Sequence, residues 1–415
     1  MTKKPPVEIR FFYGWVMVFF AGFTLFFSGP GQTFSVSVFI DSYINEFGWS
    51  RSLVSGMYSM GTLAAGVVMS VVGGLFDRYG HRRMSTLVAA FFGAACIYMS
   101  FIRSLPMLFI GFFLIRLLGQ GSMSLIGTTL VPQWFIRNRG RALSIFSLFG
   151  ALGLATIPSI NTWIIQNISW QMGWRVWALL LWFFVAPLVY FFVRTRPEDV
   201  GLLPDGDVID SASEEVQFVE EVSWTLREAV KTRAFWIIVY LIIVPSAINT
   251  GCMFHQISIL GEAGLSPQQA ALINGVISVV RIPFILIAGQ LADRIQLRFL
   301  LTVSQFLIVL MLITLYFANS VPLVIMYGVF FGLQMALQSL AIGAIWPDYY
   351  GRRYLGTIRG VTMMVGVIGS ALGPLPFGYA YDIFGGYGEI IMVSLILPLL
   401  GTVLALLARK PVKKE

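Results

Sequence analysis

Arg281 sits near the middle of an apolar run, residues 268–294, that is long enough to cross a bilayer. About 20 mostly apolar residues span the hydrocarbon core, so this guanidinium is expected near the midplane. A cation at that depth costs roughly 2.5–3.5 kcal/mol on insertion scales. No carboxylate falls well inside any other apolar run to neutralise it. A buried cation without a built-in counter-ion implies one that arrives from outside. Arginine keeps its charge and offers five donors in a rigid fork, which suits a small carboxylate anion.

Other polar side chains share the apolar runs. Asn274 precedes Arg281 by seven residues, two helical turns, and so lies on a similar face. Gln120, Asn249, Gln334 and Gln338 are amides within apolar runs. Each suits either an interhelical hydrogen bond or contact with a bound molecule. Gly29-Pro30-Gly31 is expected to break its helix, because proline removes a donor and glycine lowers helix propensity. Freed backbone groups at membrane depth line cavities, which makes Ser28 and Gln32 candidate ligands. Tyr58 and Tyr379 are weaker candidates, since aromatic residues are abundant here and usually pack. Arg116, the second intramembrane cation, is a candidate for coupling or for bracing helices. His255 is a candidate for proton pickup, histidine being the side-chain type that changes charge near neutral pH.

Helices of a membrane bundle are the elements expected to hold these residues. The chain is 57% hydrophobic and 12% charged, against about 25% charged in soluble domains. Mean hydropathy is +0.80. Twelve spans are expected, at approximately 13–40, 52–75, 84–102, 106–131, 142–167, 173–193, 233–259, 268–291, 299–317, 322–346, 357–381 and 388–408. Of the 28 lysines and arginines, 23 fall on one side of such a bundle, which sets both termini on the cytoplasmic side and requires an even number of spans. The first apolar segment reads as a retained helix, since no small-residue cleavage site follows it. Cys96 and Cys252 both fall in apolar runs and read as core residues.

The net charge of +8 is spread over loop clusters, with no basic stripe for nucleic acid. The sequence has no HExxH, no paired intramembrane carboxylates and no Gly-x4-Gly-Lys-Ser/Thr loop, so no metal, cofactor or nucleotide chemistry is expected. Three segments follow: a six-helix bundle at 1–196, a polar cytoplasmic linker at 197–232 and a second six-helix bundle at 233–415. The halves resemble each other. Gly73 to Arg83 has a counterpart in Gly289 to Arg298, and Ala151-Leu152-Gly153 recurs as Ala371-Leu372-Gly373. Parallel repeats of this kind place a substrate site near the midplane where they meet.

These motifs resemble the major facilitator superfamily. Its signature, Gly-x-Leu-x-Asp-Arg-x-Gly-x-Arg, is met by Gly73, Leu75, Asp77, Arg78, Gly80 and Arg82, and in part by Gly289, Leu291, Asp293 and Arg294. The resemblance implies an all-α fold of twelve transmembrane helices and a conformational gating role for Asp77, Arg78, Arg82, Asp293 and Arg294. Within the superfamily, the chain looks similar to bacterial relatives of the monocarboxylate transporters and oxalate:formate antiporters. Tyr13-Gly14-Trp15, Ser28 to Gln32, the Arg116 motif, Trp134-Phe135, Arg139 to Ala142 and Gly351 to Gly356 carry that likeness. Arg281 matches the arginine that these families use for the substrate carboxylate.

Two positions depart from those families. Ile277 stands where animal monocarboxylate transporters have Asp, and the eleventh span has no Lys for a second carboxylate. One midplane cation suits a monoanion better than a dianion. The expectation is a secondary carrier, in a cell membrane of inner-membrane type, for lactate- or pyruvate-like anions. It is expected to be proton-coupled, surrounded by lipid and monomeric. An oxalate:formate-type exchanger is the alternative carrier, and a non-transporting sensor on the same fold is the alternative of another class.

Overall fold

The computed structural model describes residues 11–49, 51–206, 223–262, 264–265 and 267–413. The side chains of Asp41 and Asn274 lie outside the described set, as do linker residues 207–222. Every regular element among the described residues is a helix. Eleven helices are long and apolar enough to cross a membrane: Gly14–Gly31, Gly56–Tyr79, Leu105–Trp134, Arg139–Asn167, Trp170–Phe192, Arg233–Met253, Gly275–Arg294, Leu297–Tyr316, Val321–Tyr350, Leu355–Tyr381 and Gly388–Leu407. His81–Met99 completes the twelve; this 19-residue helix opens with His81-Arg82-Arg83, which dilutes its hydropathy. It is the third span in chain order.

The first span breaks where glycine and proline interrupt it. One helix ends at Phe27, a short 3-10 turn covers Gly29–Gly31, and a second helix runs over Thr33–Phe47. Its outer half is thus longer than the expected end at 40, and takes in Asp41 and Glu46. Glu46 accepts hydrogen bonds from the indole of Trp170 and the amide of Gln171. It therefore serves the end of the bundle, away from the midplane.

Contacts group the chain into two compact units: Met1–Ser223 with Gly351–Met364, and Trp224–Tyr350 with Val365–Glu415. Inside the first, the first span packs on the fifth, the second on the fourth and the third on the sixth. Inside the second, the seventh packs on the eleventh, the eighth on the tenth and the ninth on the twelfth. The pairing repeats with a shift of six spans. The repeated Ala-Leu-Gly explains one such pairing. A Cβ on Gly153 would lie 3.6 Å from the Phe26 carbonyl oxygen of the first span, and one on Gly373 would lie 2.3 Å from the Ala247 oxygen of the seventh. Small residues let backbones approach closely; at Gly373 the approach leaves no room for a Cβ, whereas at Gly153 the contact is an ordinary one.

One anchor was not visible in the sequence. Asp205, held at φ 59° in the turn Pro204–Gly206, accepts from the backbone N–H groups of Ile136, Arg137 and Asn138 at 2.8, 2.8 and 3.1 Å. Its carboxylate fills the donors just ahead of the helix Arg139–Asn167, where negative charge is favoured. The start of the linker is thereby pinned to the first unit.

Candidate functional site

Within the second unit, Arg281 lies on the inner face of the eighth span. Ile277 and Ile285, one turn to either side, are buried, as are Ile273 and Ala288. The opposite face, with Val279 at 72% exposure and Ile287 at 48%, is apolar and turned outward. Arg281 therefore extends a buried aliphatic stripe. Its Nε is buried and has no hydrogen-bond partner among the described residues.

The tenth span runs alongside. Ideal Cβ positions on Gly328 and Gly332 would meet Val276 at 3.1 Å and the Ile277 oxygen at 2.7 Å, so the two helices advance together. Gln334, half a turn beyond Gly332, is then level with Arg281 at a rise of 1.5 Å per residue. Asn249 of the seventh span donates its Nδ2 to Gln334 Oε1 at 3.0 Å. That bond leaves Asn249 Oδ1 and Gln334 Nε2 buried without partners among the described residues. Three spans thus bring a guanidinium, one free acceptor and one free donor to a similar depth. Buried polar atoms left unpaired cost about 1–3 kcal/mol each.

Gln338, one turn beyond Gln334, differs. It accepts from Ser304 at 2.8 Å and donates to the Leu241 carbonyl at 2.5 Å, so both ends of its amide are used in helix packing. Tyr379 is 70% exposed, in line with Leu375 at 64% and Ile383 at 54%, on the face of its helix away from the buried Phe377 and Ala380. The three share one exposed face at four-residue spacing, which sequence alone could not orient. His255 meets the Tyr387 hydroxyl at 3.2 Å and stacks against Phe377 with ring centroids 6.1 Å apart.

The first unit treats its intramembrane cation in another way. Arg116 opens a π-helical stretch, Arg116–Met123, that propensity reading missed; its only sequence signal is Gly119-Gln120-Gly121. Arg116 donates to the Gly31 carbonyl at 3.1 Å, to Thr33 Oγ1 at 3.2 Å and to Thr62 Oγ1 at 3.1 Å. Its guanidinium also lies 5.0 Å from the centre of the Tyr58 ring. Tyr58 in turn donates to Thr33 Oγ1 at 2.8 Å. The broken first span therefore supplies the acceptors that hold this cation. A Cβ on Gly31 would stand 2.3 Å from the Ile115 oxygen and 2.8 Å from Gly119 Cα, so the break and the π stretch are in backbone contact. Gln32 donates to Ser28 Oγ at 3.0 Å and Ser124 Oγ at 3.2 Å, while Ser28 donates to the Leu25 carbonyl at 2.6 Å. Gln120 Oε1 is buried and has no partner among the described residues.

The signature residues are distributed unevenly. Asp77 accepts from Gly356 N at 2.8 Å, Thr357 N at 2.7 Å and Thr357 Oγ1 at 2.6 Å, capping the helix Leu355–Leu372. Arg82 donates to the Tyr190 carbonyl at 2.7 Å and lies 4.5 Å from that ring's centre, and Arg78 lies 5.3 Å from the centre of the Tyr79 ring. Asp293 lies at the end of the eighth span beside Arg294, which is exposed. No group of three or more His, Cys, Asp or Glu among the described residues could hold a metal ion.

Spans whose pairing repeats with a shift of six, with Arg116 and Arg281 each far from the ends of an apolar span, are the architecture of a membrane carrier. The chain belongs to the major facilitator superfamily, whose model matches residues 14–374 and, again, 250–415. It is 23% identical over 414 residues to the uncharacterized MFS-type transporter YcxA of Bacillus subtilis (strain 168), covering 90% of this chain and 93% of that protein. It is also 23% identical over 360 residues to the glucose transporter GlcP of Staphylococcus epidermidis, covering 78% of this chain and 80% of that one. Among solved structures it is similar to the proton:xylose symporter XylE, with a TM-score of 0.70 at 14% identity over 94% of each chain. At that identity the likeness speaks for the fold. The protein is a multi-pass membrane transporter and not an enzyme.

Proposed function

We propose that this transporter is a secondary active carrier of small monocarboxylate anions of the lactate and pyruvate type, coupled to protons, with Arg281 binding the carboxylate. The observation that carries the reading is the contrast between the two deep arginines. Arg116 is supplied with neutral acceptors by its own unit, whereas Arg281 has a buried, unpartnered Nε. An anion would give Arg281 the acceptors it lacks, and binding would cancel its charge before the carrier reorients. The free donor on Gln334 and the free acceptor on Asn249 would orient the remainder of the substrate.

GlcP and XylE carry sugars by name, and a neutral sugar is the second reading. An unpaired guanidinium argues against it, because a polyol supplies no counter-charge. On the same reading Arg116 braces the first span, and the basic loops set both termini in the cytoplasm of an inner-membrane protein that works as a monomer. Reconstituted protein should take up labelled lactate faster when the outside is acidified. Unlabelled pyruvate should compete, while oxalate and glucose should compete at least tenfold less well. Competition by glucose without competition by pyruvate would overturn the proposal.

A further inference from the structure

The seam between the ninth span, Leu297–Tyr316, and the twelfth, Gly388–Leu407, ends in a cavity of about 480 Å³. Its lining brings together the start of the ninth span, the end of the tenth and the chain just beyond the twelfth, through Gln296, Arg298, Asp348, Tyr349, Arg409 and Lys410. Three of these side chains are cations and one is an acid. The acid is spoken for, since Asp348 accepts from Lys410 at 2.9 Å. Arg298 places its Nε on Gln296 Oε1 at 2.9 Å, and its guanidinium carbon lies 4.8 Å from the centre of the Phe299 ring. Arg409 has no side-chain acceptor among the described residues. Two guanidinium groups with unused donors thus border one cavity, a geometry that suits phosphate oxygens.

The surroundings indicate where the phosphate comes from. Beside the cavity the same two helices turn apolar side chains outward, Phe299 and Val303 on one and Leu406 and Leu407 on the other, each at 41–48% exposure. The cavity therefore sits where headgroups end and acyl chains begin. The other end of the seam supplies a contrast. A cavity of about 310 Å³ there is lined by Tyr316, Asn319 and Tyr387, with Glu262 as its charged side chain, so it would repel an anion.

We propose that the cavity at Arg298 and Arg409 binds the phosphodiester headgroup of an acidic phospholipid, whose acyl chains lie along the apolar wall of the ninth and twelfth spans. Basic pockets at the ends of spans hold such headgroups through charge, and each nearby Lys or Arg favours them. The site lies at the ends of the ninth and twelfth spans, whereas Arg281 lies near the middle of the eighth, and it does not depend on what the carrier transports.

The test uses full-length protein in nanodiscs containing phosphatidylglycerol or phosphatidylcholine, followed by native mass spectrometry of the released protein. Phosphatidylglycerol should be retained and phosphatidylcholine should not. The double variant Arg298→Gln with Arg409→Gln should weaken retention at least tenfold, while Glu262→Gln retains lipid as the native chain does. Should the double variant fold poorly, Arg409→Gln alone carries the test, because Arg409 is exposed just beyond the last helix. Equal retention of both lipids, or unchanged retention in the variants, would overturn the proposal. So would displacement of the lipid by millimolar inorganic phosphate, which would make this a site for a soluble anion.

Discussion

Replacing Arg281 with methionine should separate stability from transport, because the group removed is unsatisfied in the resting fold. The Nε of Arg281 is a buried donor without an acceptor among the described residues. Leaving such a donor unpaired costs about 1–3 kcal/mol. The cation itself adds part of the roughly 2.5–3.5 kcal/mol insertion penalty. Methionine keeps most of the aliphatic volume on the stripe between Ile277 and Ile285 and removes both costs. Stability should therefore stay level or rise by about 1–3 kcal/mol. Transport should collapse. Two charge-assisted hydrogen bonds to a carboxylate are worth about 3–6 kcal/mol together. At about 1.4 kcal/mol per tenfold, that predicts roughly 10²–10⁴-fold less uptake at low substrate. Arg281→Lys keeps the charge but not the fork, so it should fall between the two. The comparison variant is Arg116→Met. It strips the Gly31 carbonyl, Thr33 and Thr62 of a donor, and should lose about 3 kcal/mol of stability. Unfolding of the purified variants in a denaturing detergent series, beside uptake in proteoliposomes, measures both quantities. If Arg281→Met loses as much stability as Arg116→Met, or keeps uptake within threefold of native, the reasoning is wrong and Arg281 is a structural residue.

Two further outcomes follow from the geometry. Gly31→Ala should lower thermal stability by about 1–3 kcal/mol, because the new Cβ meets backbone at Ile115 and Gly119 with no side chain free to yield; a variant as stable as native would show that the first and fourth spans can separate at little cost. The short helix Leu226–Ala229 should loosen in acid. Hydrogen bonds from the backbone and hydroxyl of Thr225, together with Lys413, hold the Glu228 carboxyl down at about 2. A depressed folded-state value means that the contribution is present above the ordinary carboxylate range, near 4.5, and is lost as pH falls through about 2. Protection of the amides of residues 226–230, taken relative to their intrinsic exchange rate at each pH, should therefore fall across that window and stay level between pH 5 and 7.

Much of the architecture was legible along the chain because hydropathy and charge are local quantities. Apolar runs bounded by basic clusters define the spans, and the break at Gly29-Pro30-Gly31 follows from a missing donor in a place where the chain cannot call on water. The repeated Gly-x-Leu-x-Asp-Arg and Ala-Leu-Gly segments announced two related halves, and the contact pattern repeats accordingly. Composition likewise excluded a soluble enzyme.

What only the tertiary structure decided is which polar groups are satisfied. In sequence, Arg116 and Arg281 look alike, each a lone cation in an apolar run. The acceptors of Arg116 come from Gly31, Thr33 and Thr62, far away in the chain, and no local pattern announces them. Gln334 and Gln338 are one turn apart and equally polar, yet one keeps a free donor and the other spends both ends on Ser304 and Leu241. Asp205 looks like an ordinary turn residue until its carboxylate is found on the N–H groups ahead of another helix. Tyr379 is indistinguishable by type from Tyr58, but one stands exposed and the other lies under a guanidinium. Hydrogen-bond satisfaction and the side of a helix that meets a neighbour depend on three-dimensional partners, so they appear only once the helices are packed.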